Sequence, residues 1–139
     1  MPPLYLLMGY APLQKLLGMT LTFAGYLVRD DLDATEVLAL LRTAPVVPSL
    51  VLFGDYLPGM YCDAFVASLV QTPTCAQQHG FLFLSTKPRS LLSPLAVSIQ
   101  RLGLSVLPIP FALDHLFATL VLLTQQLPRN EAPGSSSGS

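Results

Sequence analysis

Charge is what this chain has least of. Only 11% of its 139 residues are Asp, Glu, Lys or Arg, against roughly 25% in a typical soluble domain. Seven basic residues meet eight acidic ones for a net charge of -1, and no basic stripe runs along the chain. Nothing is there to neutralise a phosphate backbone, which argues against direct nucleic-acid binding by this chain. Cysteine is scarce too. Cys62 and Cys75 have neither metal-ligand spacing nor a disulfide-rich setting, which points to a reduced, cytoplasmic compartment. Long unbroken apolar runs are also missing, although 52% of the residues are hydrophobic and the mean hydropathy is +0.58. A membrane-spanning helix needs ~20 apolar residues in a row. Residues 102–123 are broken by Pro108, Pro110, Asp114 and His115, and residues 46–70 by Pro48, Gly54, Asp55 and Pro58. No basic region opens the chain as a secretory leader requires. A glycine-rich phosphate loop and an internal repeat are both lacking. The expectation is a soluble, non-membrane domain with an unusually apolar exterior, the pattern of a chain that meets protein partners.

What is present is an alternation of short apolar runs and longer helical patterns. Strands are expected at residues 4–8, 26–28, 50–53, 81–84 and 104–107. Between them lie helical spacings. Pro12 opens the first helix, with Leu13, Leu16, Leu17 and Leu21 as its apolar stripe, and Gly25 ends it. Asp33 with Glu36 three residues on has capping-box spacing, ahead of the stripe Val37, Leu38, Leu40 and Leu41. Further helices are expected at 62–70, at 90–102 entered through Ser90, and at 112–127. Five continuous apolar strands alternating with five helices describe an α/β domain, a (βα)5 doubly wound five-stranded parallel sheet covered on both faces, a flavodoxin-like three-layer sandwich. The domain spans residues 1–127. Residues 128–139, with "APGSSSGS", have the composition of a flexible linker, natural or added for expression.

Functional residues in such a sheet belong at the carboxyl ends of the strands. That edge holds Gly9-Tyr10, Gly54-Asp55, Ser85-Thr86 and Ile109-Pro110. The sequence "LVLFGDYLPGM" at 50–60 ends a strand on an acid just before a Pro-Gly turn. Taken with "FAGYLV" at 23–28, "DATEVLALL" at 33–41 and "LPIPFALDHL" at 107–116, it resembles the CheY-like receiver domains of bacterial two-component response regulators. The likeness runs from about Leu4 to Leu127.

The resemblance implies an aspartate acceptor four residues before the proline of the Pro-Gly-Met turn. Counting back from Pro58 gives Gly54, and the neighbouring Asp55 points to the other face of the strand. Asp55 is therefore expected to be a solvated turn carboxylate or a helix cap. The acidic pair that would bind magnesium corresponds to Gly9-Tyr10, with Tyr10 expected to plug the vacated pocket. Ile109 stands where the resemblance implies a lysine. Only a hydroxyl at the end of the fourth strand, Ser85 or Thr86, survives. Without those groups nothing stabilises phosphoryl transfer, so the resemblance implies a degenerate pseudo-receiver with no metal, no cofactor and no enzymatic activity. It also implies a cis Ile109-Pro110 bond.

Three further expectations come from the residues themselves. Ser85, Thr86, Lys87 and Arg89 precede a helix start, an anion-friendly arrangement, so a small-ligand sensor for an anion or nucleotide is the alternative function. Cys62 reads as a buried apolar residue, and His79 and His115 lack a nucleophile nearby. The last helix carries Leu113, Leu116, Phe117, Leu120, Val121, Leu123 and Leu127 as a core stripe, with Ala118 and Leu122 outside it. These two, with Leu91 and Leu95 on the preceding helix, are the expected interface. The resemblance implies that the fourth helix, fifth strand and last helix pair two copies, so that the chain acts through protein contacts as a homodimer. By the same analogy a C-terminal output domain would follow the tail.

Overall fold

The computed structural model describes residues 2–87 and 93–128, without the side chains of Ser93 and Pro94. Its central sheet contains β1 (Pro3–Leu7), β2 (Leu27–Arg29), β3 (Leu50–Phe53), β6 (Gly80–Ser85) and β7 (Ser105–Pro108), in the order β2-β1-β3-β6-β7. All four pairings are parallel. Parallel neighbours need crossover connections, and these are α1 (Ala11–Phe23), α2 (Ala34–Arg42), α3 (Cys62–Gln71) and α5 (Ser93–Leu102), with α6 (Leu113–Gln126) after the last strand. The expected three-layer α/β sandwich is what the chain forms. Strand alternation sorts the core into two halves. Leu7, Val51, Phe53, Phe81 and Phe83 face α2, α3 and α5, whereas Leu4, Leu6, Leu50, Leu52, Leu82 and Leu84 face α1 and α6.

Phe53 is the hub of the first half. Its ring stacks on Phe83 and tilts against Phe65, with centroids 5.0 Å away in both cases. The second helix starts as its sequence dictates: the Asp33 side chain accepts the Glu36 N–H at 2.8 Å, and Glu36 accepts the Asp33 N–H at 3.1 Å. Ile109-Pro110 is cis as expected, and Ala44-Pro45 is cis as well. Two elements were not anticipated. A hairpin of β4 (Tyr56–Leu57) and β5 (Met60–Tyr61) follows β3, and a single turn, α4 (Pro73–Ala76), follows α3. The hairpin closes on Pro58-Gly59, where Gly59 has φ +93° as the third residue of a type II turn requires. No described helix is long and apolar enough to cross a membrane. The residues of the tail after Pro128 and the start of the helix at Ser90 lie outside the described residues.

Several residues expected in core stripes are exposed instead: Leu16 on α1, Leu40 on α2, and Leu113 and Val121 on α6. A helix laid on a flat sheet buries a narrower stripe than its apolar pattern suggests, because one face alone touches the strands. Leu95 departs in the opposite direction. It is only 9% exposed and packs with Ile99 into the core beside α3, so it is not a surface residue. Spacing of four places both on the side of α5 turned to the sheet.

His79 is buried. Its Nδ1 accepts the Ser49 N–H at 3.1 Å, which leaves Nε2 to donate to the Leu41 carbonyl at 3.1 Å. The ring thus ties the end of α2 to the entries of β3 and β6, and it does so as the neutral tautomer. Burial holds it below its ordinary value of 6.5, against a smaller opposing pull from the Leu41 bond. The unfolded chain takes up this proton near pH 6.5 while the folded one resists until lower pH. The contribution of His79 is therefore complete above that value and is lost as the pH falls through the folded one. Urea unfolding from about pH 7.5 to about pH 5.5 should show this loss, and His79→Gln should flatten it.

Candidate functional site

The carboxyl edge of the sheet gathers the expected site residues into three separate places. The first is built on Gly54. β1 and β3 pair with Leu7 opposite Phe53, so the next residues, Met8 and Gly54, are neighbours on the α1/α6 side. A Cβ on Gly54 would stand 3.0 Å from the Met8 methyl and 3.1 Å from its sulfur. Met8 is buried. A thioether thus fills the space beside the position where the resemblance implies an acceptor carboxylate. Tyr10 does not plug it: its ring is 67% exposed, and its residue stands as the N-cap of α1 without a side-chain capping bond. The filling residue, Met8, lies two positions earlier, and only the strand register identifies it.

The hairpin covers the second place. The Gly9 N–H donates to the Tyr56 carbonyl at 2.6 Å, and a Cβ on Gly9 would come within 2.8 Å of that oxygen. Only glycine allows so close an approach. The hairpin is held from its other end by the Ala34 N–H, which donates to the Pro58 carbonyl at 2.8 Å, and by the Cys62 N–H, which donates to the Asp55 carbonyl at 3.2 Å. Tyr56 and Tyr61 meet edge to face at 5.4 Å, and the Lys87 ammonium lies 5.7 Å from the Tyr56 ring centroid. A hollow of about 490 Å³ opens here between Met8, Gln14, Tyr56, Met60 and Tyr61.

Asp55 makes the third place, and it corrects the sequence expectation. The carboxylate is neither solvated nor a cap: it is 9% exposed, and Tyr61, not Asp55, precedes α3. The register of β3 with β6 places Phe53 opposite Phe83, so Asp55 is level with Ser85 on the same side. The Ser85 hydroxyl donates to Asp55 Oδ1 at 2.9 Å. Oδ2 accepts from the Thr86 N–H at 3.1 Å and from the Thr86 hydroxyl at 3.0 Å. Ser85 Oγ in turn accepts the Lys87 N–H at 3.1 Å, and the Ser85 carbonyl accepts the Ile109 N–H at 2.8 Å. Of the expected anion cluster, Ser85 and Thr86 give their donors to Asp55, Lys87 lies by Tyr56, and Arg89 is outside the described residues. Pro110, just beyond Ile109, is exposed.

Magnesium, implied for working members of the resembled family, does not fit these residues. A hard cation needs several oxygen ligands, whereas Met8, Gly9 and Tyr10 offer no carboxylate. Among the described residues no group of three or more His, Cys, Asp and Glu side chains could hold a metal ion. Cys62 is buried beside this site and donates its S–H to Asp63 at 3.3 Å. Burial first, then the bond to and charge of Asp63, push its thiol up to about 12, which removes the nucleophilic thiolate.

Of the expected interface residues, Ala118 and Leu122 lie exposed one turn apart on α6, Leu122 at 57%. Leu91 is outside the described residues. A stripe on α1 was missed: Leu16, Met19 and Phe23 are all exposed, Phe23 at 96%. A groove of about 690 Å³ runs beside it between α1 and β2, past Met19, Phe23, Val28 and Asp30.

No protein-family model matches the chain, and no curated protein matches its sequence. Solved structures do match. The non-phosphorylated HemR receiver domain from Leptospira biflexa has a TM-score of 0.67 at 21% identity, over 95% of this chain and 100% of that one. A signal receiver domain of an HD domain-containing protein from Pseudomonas fluorescens Pf-5 has 0.68 at 23%, over 90% and 96%. The chemotaxis protein CheY4 of Vibrio cholerae has 0.65 at 21%, over 88% and 99%. The chain shares the fold of CheY-like receiver domains.

Two measurements check this geometry. Gly54→Asp would press a carboxylate against the Met8 thioether and should cost about 2 kcal/mol or more in chemical denaturation. Gly54→Ala needs only the Met8 thioether end to give by a few tenths of an ångström and should cost about 1 kcal/mol. Iodoacetamide should leave Cys62 unmodified in the folded protein and alkylate it only after denaturation, as read by peptide mass.

Proposed function

We propose that this domain is a pseudo-receiver: a signalling module with the receiver fold that works through protein contacts and without aspartyl phosphorylation. The carrying observation is the state of the two residues at the end of β3. Gly54 has no carboxylate and is packed by Met8, and both oxygens of Asp55 already accept hydrogen bonds from Ser85 and Thr86. A phosphoryl group on Asp55 would have to displace those donors, with no metal-holding cluster among the described residues and an isoleucine instead of a lysine at position 109 to meet the added charge. In this reading the domain is not an enzyme, uses no cofactor and belongs in the cytoplasm.

The output surface in this reading is the edge formed by β7 with α5 on one side of the sheet and α6 on the other. Ala118 and Leu122 supply its apolar part on α6, and the exposed Val97 adds to it on α5. Exposed aliphatic side chains on neighbouring elements are a cost in water that a protein partner removes. A second copy of this chain is the proposed partner, joined without any charge switch.

Incubation with acetyl phosphate and magnesium should yield no phosphoryl adduct by intact mass. A stoichiometric adduct that disappears in Asp55→Asn would sink the proposal. Light scattering across a dilution series should give a dimer that Leu122→Glu converts to monomer; a monomer at every concentration would remove self-association from the reading.

A further inference from the structure

The network around Asp55 has the form of a bound anion in its receptor. Its carboxylate is desolvated, 9% exposed, beside a Ser85 side chain that is itself buried. Three donors converge on it: the Ser85 hydroxyl on one oxygen, and the Thr86 amide and hydroxyl on the other. The ammonium of Lys87 is on the Tyr56 ring, so hydrogen bonds carry the compensation. Bonds to an ionised acceptor are the strong kind, and a buried charge persists only with such a set. The donors belong to the end of β6 and the residue after it, whereas the acceptor lies two residues beyond β3.

We propose that Asp55 is the resident ligand of an oxyanion-receiving pocket formed by Ser85 and Thr86, and that it holds the turn Ser85-Thr86-Lys87 at the end of β6 in one position permanently. This rests on the phosphorylation-independent reading and names how the edge is set without a phosphoryl group. The Lys87 N–H donates to the Ser85 hydroxyl, and the Ile109 N–H donates to the Ser85 carbonyl. One carboxylate therefore fixes the exit of β6 and, through Ser85, the turn from β7 into α6. Without the carboxylate, two hydroxyls and an amide would surround a space suited to a small oxyanion such as inorganic phosphate.

Amide hydrogen exchange at Thr86, read by NMR, tests this without any phosphodonor. The Thr86 amide should be protected in the wild type and indifferent to added inorganic phosphate. In Asp55→Ala it should exchange at least about tenfold faster, the loss expected for one bond to a charged group, and phosphate should slow it again. Asp55→Asn keeps the shape and one acceptor oxygen, guards against a fold lost in the alanine variant, and should fall between the two. Equal exchange in all three proteins overturns the proposal, and so does phosphate protection of the wild type. An acetyl-phosphate adduct would instead sink the phosphorylation-independent reading and leave this comparison to decide the role of Asp55.

Discussion

The register between β3 and β6 is the constraint on which the rest of the structure depends. Leu50 lies opposite Gly80 and Phe53 opposite Phe83, and both strands are buried along their whole length. A slip of one residue would turn every side chain to the other layer. It would break the Phe53–Phe83 stack, take Leu50 and Leu52 away from α1 and α6, and separate Asp55 from Ser85. A large apolar energy therefore holds a small polar site in place. Truncation of a core Phe costs about 3–5 kcal/mol, and each strand carries several such side chains.

The polar site must answer a steep desolvation cost. Removing a carboxylate from water costs several kcal/mol even after relaxation, whereas a hydrogen bond to a charged group returns roughly 1.5–3 kcal/mol. One donor would not balance the cost; three do. That arithmetic explains why Ser85 and Thr86 both turn inward and why the network closes without an ion pair. It also separates this edge from one that binds a cation, since its donors are matched to a carboxylate already present.

The low charge of the chain has its structural counterpart in helices that are apolar beyond their buried faces. On α6 the sheet covers Leu116, Leu120 and Leu123 and leaves Leu113, Val121 and Leu122 outside. On α1 it covers Leu17 and Leu21 and leaves Leu16, Met19 and Phe23 outside. Helical periodicity states that a face is apolar, but the number of faces that find a neighbour depends on layer geometry. The same limit applied to α5, where Leu95 was read as surface and proved to be core.

Strands, crossovers and the doubly wound order were legible from apolar runs, the Asp33–Glu36 cap and the glycines, because each is a local property of a few consecutive residues. The absence of charged groups from the Gly9, Gly54 and Ile109 positions was equally legible, since a missing carboxylate needs no fold to be seen. Even the face of Asp55 followed from strand parity. Its environment did not. Burial of Asp55 depends on a hairpin that Gly9 and Ala34 hold from other elements, and its donors lie thirty residues away on a strand whose register is set by the aromatic core. Met8 rather than Tyr10 fills the space beside Gly54 for the same reason. The sequence alone determined which chemical groups reach this edge. Tertiary packing alone decided which of them meet, because the pairing of distant strands is chosen by the whole core and not by the residues at its rim.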